Sequence, residues 1–167
     1  MRSEVLTQVL DYEPENRSKY LIILPCSKKK RVQMDVSALD LYDGPFYQIL
    51  RNNIKDYLDL LIVSSKYGLI SSNKKISFYD QKMTKERAKE LSKEVSLELV
   101  RILDKNYREI FISLGKSYIP VLDDSRNVLN KHKVVWANGQ IGERMHQMKI
   151  WLNSISVSVH RDDFNGF

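Results

Sequence analysis

The chain has 167 residues, 43% of them apolar and 29% charged, with a net charge of +6. Those figures describe one ordinary globular domain with room for a substantial core. No segment approaches the roughly 18 apolar residues of a membrane helix, so no membrane association is expected. A single cysteine excludes an internal disulfide and a Cys-rich zinc site, and His132, His146 and His160 lack metal-ligand spacing. No cofactor and no metal are therefore expected. The positive balance favours a polyanionic partner, the more so because many lysines fall in predicted strand-end loops rather than over helix surfaces.

In chain order, residues 1–19 are polar and lack the apolar core of a secretory signal, so a cytoplasmic location is expected. A short helix is expected over Ser3–Asp11. The organising stretch follows: Tyr20-Leu-Ile-Ile-Leu24 runs into Pro25-Cys26-Ser27 and three lysines, Lys28 to Lys30. A dense apolar run of this length reads as a strand buried on both faces, and Pro25 ends it because proline cannot donate a ladder hydrogen bond. Met34–Leu41 reads as a short helix. Gly44-Pro45 opens another, whose apolar stripe would be Phe46, Leu50, Ile54 and Leu58. A second strand is predicted over Leu60–Ser64, followed by Ser65-Lys66-Tyr67-Gly68 and a loop to Phe78-Tyr79-Asp80 that can include a short edge strand.

From Thr84 the spacing of Ala88, Leu91, Val95, Leu99 and Ile102 predicts a helix. Strands over Glu109–Leu114 and Lys133–Ala137 come next, each releasing a polar cluster: Gly115-Lys116-Ser117-Tyr118 and Asn138-Gly139-Gln140. A last helix carries Ile141, Met145, Met148 and Leu152 on one face, and Met145, Met148 and Trp151 read as its core side. Ile155–Val159 alternates like an edge strand. Strands alternating with helices predict one α/β domain of three layers: a mainly parallel central sheet with helices on both faces. Its expected parts are an extension (1–19), a core (20–154) and a tail (155–167).

Four strand ends each release glycines, hydroxyls, amides or lysines, and open α/β sheets bind ligands at the carboxyl ends of their strands. Such a set suits an anionic ligand bearing hydrogen-bonding groups. Cys26 is either a nucleophile or a buried residue packed under its loop. No histidine lies near it in sequence, which favours the second role. Ser27 can offer its hydroxyl and backbone N–H to a phosphate or a base edge. Tyr42, Phe46, Tyr47 and Tyr67 offer ring faces on which a flipped base could stack.

Leu24-Pro25-Cys26-Ser27-Lys28-Lys29-Lys30, Ser64-Ser65-Lys66-Tyr67-Gly68-Leu69, Phe78-Tyr79-Asp80 and Gly139-Gln140-Ile141-Gly142-Glu143-Arg144-Met145 occur in that order. The series resembles the core domain of archaeosine synthase and its small stand-alone bacterial and phage relatives, a group similar in fold to the uracil-DNA glycosylase superfamily. Residues 31–36 lack the Pro-Tyr-Ser continuation of that family, which speaks against the lysine-adding activity of archaeosine synthases. What the resemblance implies is a glycosylase-like α/β domain acting on a nucleobase in nucleic acid, DNA before tRNA. The expected reaction is hydrolysis of the N-glycosidic bond of a modified or damaged base. The alternatives are a tRNA 7-deazaguanine-modifying transferase and a non-catalytic nucleic-acid-binding module.

In this reading Asp80, Lys28 and Ser27 are the candidate catalytic residues, with Asp80 facing a developing oxocarbenium ion. Cys26, Tyr47, Tyr67, Tyr79, Asn138 and Gln140 are candidates to hold the base. Lys29, Lys66, Lys82, Lys116, Ser117 and Arg144 are candidates to bind phosphates.

Overall fold

A computed structural model describes residues 19–165, with side chains through Asp162. The helix expected over Ser3–Asp11 lies outside the described residues. Four strands arise where the apolar runs predict them: β1 (Tyr20–Pro25), β3 (Leu58–Ser64), β6 (Glu109–Ile112) and β7 (Val134–Trp136). With β4 (Gly68–Ser71) they form a five-stranded mixed sheet in the order β4-β3-β1-β6-β7. The pairings β1–β3, β1–β6 and β6–β7 are parallel. β4 turns back antiparallel along the edge of β3.

β1 is the spine of this sheet because both of its faces are apolar. Leu21, Ile22, Ile23 and Leu24 are all 0% exposed. Successive side chains of a strand point to opposite faces, so Tyr20, Ile22 and Leu24 enter one hydrophobic cluster and Leu21 and Ile23 the other. The first cluster is covered by α1 (Ala38–Leu41), α2 (Pro45–Arg51) and α5 (Ile141–Asn165). The second is covered by α3 (Lys85–Leu103), a 3-10 helix (Ile119–Ser125) and α4 (Arg126–Leu129). Helices therefore lie on both faces, giving three layers. Full burial of a leucine or isoleucine is worth about 1.5–3 kcal/mol, so these four β1 residues anchor both cores at once.

The helices follow their caps and stripes. Thr84 accepts from the backbone N–H of Arg87 at 3.1 Å and starts α3, which buries Ala88, Leu91, Val95 and Leu99. α3 grips the 3-10 helix through Ser92, which accepts from Asp124 N, and Ser96, which donates to Asp124 O. On α5, Met148, Trp151, Leu152 and Ile155 are buried. Trp151 stacks on Phe111 at 5.1 Å and donates its indole N–H to Glu109 at 2.9 Å.

Three expectations need correction. Ile155–Val159 is not an edge strand but a continuation of α5, because Met148, Leu152, Ile155 and Val159 also recur at helical spacing and pack on the sheet. Met34–Leu41 is not one helix. Asp35 takes a left-handed φ of +52°, which interrupts any helix there. Val36–Ser37 then forms β2, paired antiparallel with β5 (Lys75–Ile76), and Ser37 caps the short α1. The stripe through Ile54 and Leu58 is also cut short, since α2 ends at Arg51. Asn52 and Asn53 turn their side-chain amides onto the carbonyls of Gln48 and Ile49 and stop it. Leu58 instead opens β3.

Candidate functional site

The strand order places a switch point at β1. The chain leaves β1 for β3 on one side and returns with β6 on the other, and the carboxyl ends of two such strands border a crevice. Residues 26–30 follow β1, 65–67 follow β3, 113–118 follow β6 and 137–140 follow β7. The start of α5 closes the side next to β6 and β7.

The floor is a chain of buried hydroxyls. Tyr42 Oη and Tyr79 Oη lie 2.7 Å apart, and Tyr79 Oη lies 2.9 Å from Ser64 Oγ. Ser64 Oγ in turn accepts from the backbone N–H groups of Lys66 and Tyr67, at 3.2 and 3.0 Å. It thus fixes the turn by which the chain leaves β3. Gly68 closes that turn at φ +74°, a left-handed conformation that favours glycine. Burial first, then the neighbouring Cys26, pushes the Tyr79 phenol up to about 12. Burial, followed by Tyr79, also holds the Tyr42 phenol well above the ordinary range.

Cys26 is buried at the end of β1. Tyr118 donates its hydroxyl to Cys26 O at 3.2 Å, and its oxygen lies 3.2 Å from Cys26 Sγ. Either group can donate the second bond. Ser65 Oγ, 3.9 Å from the same sulfur, donates to Gln81 O at 2.6 Å. Gln81 and Arg87 both donate back to Ser65 O, and Arg87 also donates to Lys66 O. Residues 65 and 66 are thereby tied to the start of α3. Among the described residues the thiol's hydrogen-bonding partners are hydroxyls, not an imidazole.

The predicted residues fall into distinct places. Ser27 is half-buried and its hydroxyl donates to Lys29 O. It packs on Gly44, where a Cβ would come within 2.7 Å of Ser27 Cβ, so α2 starts directly beneath it. Lys28 is exposed; Lys29 is exposed and pairs with Asp43 at 3.5 Å. Lys30, not singled out from the sequence, lies half-buried with Nζ 4.6 Å from the centroid of the Tyr79 ring. Burial pulls its ammonium below the ordinary lysine range, opposed by Cys26 and Asp80. Asp80 is exposed beside this group, and Lys82 is exposed two residues further on.

Tyr47 lies in the core and donates its hydroxyl to Pro25 O at 2.6 Å, supporting the loop from behind. Tyr79 is buried, so Tyr67 is the more open of the two rings. Tyr67 stands edge-on to Tyr79 at 5.5 Å, with Lys66 Nζ and Lys74 Nζ 5.2 and 5.8 Å from its centroid. Lys66 and Lys116 are exposed and Ser117 is half-buried.

Arg144 reaches back from α5 to the switch point. Nη1 donates to Ser113 Oγ at 3.3 Å, and the guanidinium lies 5.7 Å from the Phe46 centroid. Among the described residues it has no carboxylate partner, and burial lowers its pKa. Asn138 and Gln140 are exposed. Gln147 bridges Asn138 through both its amide groups, while Glu143 accepts from Gln140 N at 2.6 Å. Cys26, Ser65, Lys30, Tyr67, Tyr79 and Asp80 thus gather at the ends of β1 and β3, and Arg144 reaches Ser113 at the end of β6. Asn138 and Gln140 line the adjoining strand end.

Sequence reasoning missed Tyr118, Ser64 and Lys30. All three sit inside blocks that had already drawn notice, but pairing Tyr118 with Cys26 spans 92 positions. Among the described residues no group of three His, Cys, Asp or Glu side chains is placed to hold a metal ion. No helix there is long and apolar enough to cross a membrane. A cleft of about 830 Å³ opens along β4 and α3, lined among others by Asp59, Tyr67, Ile70, Lys74, Glu98 and Tyr107. It lies mostly at the opposite ends of the parallel strands, and the thiol, hydroxyl and guanidinium groups do not converge on it.

No curated protein and no solved structure matches the chain. A family model described as a family of unknown function, DUF6884, matches residues 21–150, from the start of β1 into α5. That span contains every residue of the crevice, and the chain belongs to the DUF6884 family.

Proposed function

We propose that the protein is a nucleic-acid base-processing hydrolase that cleaves the N-glycosidic bond of a modified or damaged base in DNA, on a mainly parallel, uracil-DNA-glycosylase-like domain. One observation carries this reading: the carboxyl ends of the parallel strands hold a half-open aromatic, Tyr67, several cations, and Arg144, a half-buried arginine that pairs with no carboxylate among the described residues. A flipped base needs a flat apolar face and a few fixed hydrogen-bonding groups. Tyr67 supplies the face; Arg144 and the Asn138–Gln140 segment supply the groups. Lys28, Lys29, Lys66 and Lys116 form the exposed rim that grips phosphates.

In this reading the exposed carboxylate of Asp80, beside Lys30, offsets the positive charge that develops on the sugar as the base leaves. Water completes the hydrolysis. Cys26 takes no covalent part in this scheme, because its hydrogen-bonding partners are the hydroxyls of Tyr118 and Ser65 rather than a base. Its role is to hold the loop that presents Ser27 and Lys30. The test is incubation with DNA and RNA carrying varied base modifications, followed by mass spectrometry of the released bases. Release of a free base is expected. Modification of a 7-deazaguanine within tRNA, with no base released, would move the protein to the transferases. Tight binding without any release, unchanged by Asp80→Asn, would make it a binding module.

A further inference from the structure

Three consecutive lysines leave β1, and the fold treats them differently. Lys28 and Lys29 face solvent, and Lys29 is paired with Asp43. Lys30 is pinned by an antiparallel bridge to Tyr42, and its side chain lies across the Tyr79 ring, half-buried. The groups facing it are Cys26 from the end of β1, Asp80 and Tyr79 from the segment after β5, and Lys66 from the turn after β3. Lys66 Nζ lies 5.9 Å from the centroid of the same ring. Among the described residues Lys30 makes no ion pair, unlike Lys29, Arg31 and Arg51 nearby, which all reach Asp43. A lysine held in place, partly dehydrated and without a carboxylate partner is the type that attacks carbonyl carbon.

The product of base excision carries such a carbon, since the abasic deoxyribose opens to an aldehyde at C1′. We propose that Lys30 is an amine nucleophile that forms an imine with C1′ of an abasic sugar, giving the protein a lyase activity beyond base release. This inference rests on the glycosylase reading of the same crevice. The Nζ lone pair adds to the C1′ carbonyl, and the adduct loses the former carbonyl oxygen as water, leaving a protonated imine. A base, for which Asp80 is the facing carboxylate, takes a C2′ proton. The C–H electron pair becomes the C2′–C3′ double bond, and the 3′ phosphate leaves with the C3′–O pair. Water then hydrolyses the imine and returns the amine, so neither oxidant nor reductant is consumed. Dehydration of the amine favours this chemistry by enlarging the neutral fraction, against the opposing pull of Cys26 and Asp80.

The experiment uses the full chain and an end-labelled DNA duplex with one abasic site, with sodium borohydride added to reduce any imine to a stable amine. A covalent protein–DNA adduct is expected, lost in Lys30→Gln and in Lys30→Arg and retained in Lys89→Gln, an exposed lysine of α3. Lys30→Arg keeps the cation over Tyr79, so a folded variant that fails to trap isolates the amine. The trapping rate is expected to rise with pH and to level off below the pH at which an ordinary lysine titrates. No adduct with the unaltered protein, or an adduct undiminished in Lys30→Arg, overturns the proposal. Base release without trapping would discard Lys30 as nucleophile while leaving the glycosylase reading intact. Trapping at Lys30 without base release from any substrate would keep the lyase and discard base excision.

Discussion

The hydroxyl chain under the crevice makes a quantitative prediction about Tyr79→Phe. The substitution keeps the ring, and so the contact with Lys30, but deletes two hydrogen bonds, to Tyr42 at 2.7 Å and to Ser64 at 2.9 Å. Each bond is worth about 1 kcal/mol net. Tyr42 is 0% exposed, so its stranded hydroxyl adds a desolvation cost, partly recovered because Ser64 lies close enough to act on it. A loss of about 2–3 kcal/mol follows, or a fall in Tm of about 5–10 °C for a chain of this size.

Tyr42→Phe leaves Tyr79 bonded to Ser64 and costs about 1 kcal/mol. The double variant leaves no stranded phenol, so its loss falls short of the sum of the singles by about 1 kcal/mol, within the usual range for residues sharing one network. Urea unfolding of all four proteins measures the cycle. Amide exchange at Lys66 and Tyr67, which donate to Ser64 Oγ, is expected to speed up in Tyr79→Phe. Single losses that add to within about 0.3 kcal/mol would refute the view that these three hydroxyls act as a unit.

The remaining predictions concern chemistry, charge and pH. On whichever substrate releases a base, Asp80→Asn is expected to lose about 10²–10⁴ in single-turnover rate while still binding, and Cys26→Ser to keep most activity; a dead Cys26→Ser beside an active Asp80→Asn reverses the assignment. Affinity for nucleic acid is expected to fall log-linearly with salt, and replacing Lys28 and Lys116 together to flatten the slope by about one to two units; an unchanged slope returns both to plain solvated surface. The hydrogen bond from Arg51, helped by Lys29 and Arg31, holds the Asp43 carboxyl below the usual range. A lowered folded-state pKa means stability that is present above the ordinary aspartate pKa and lost as pH falls through the folded value. Urea midpoints followed downward from about pH 5 should therefore show an acid limb that Asp43→Asn reduces.

The layers were legible in the order of the residues. Short apolar runs such as Tyr20–Leu24 can be satisfied only by burial on both faces, and the stripe from Ala88 to Leu99 only by a helix lying on that sheet. The polar blocks after the strands were also legible, since any α/β chain must turn at those places. What the sequence could not rank was reach. Lys28, Lys29 and Lys30 are chemically identical, and the bridge between Lys30 and Tyr42 decides which of them turns inward.

Tertiary structure alone decided three further things. Tyr47 reads as a platform for a base, but its hydroxyl finds Pro25 O and the ring goes into the core. Ile155–Val159 fits both a period of two and a helical stripe, and contact with the sheet settles it, because extending α5 buries Ile155 beside Trp151. Strand order follows from which faces pair. Placing β6 on the opposite side of β1 from β3 creates the switch point, and with it the meeting of Cys26 and Tyr118 across 92 positions. Local propensity acts over a few residues, whereas this crevice exists only once the sheet has closed around β1.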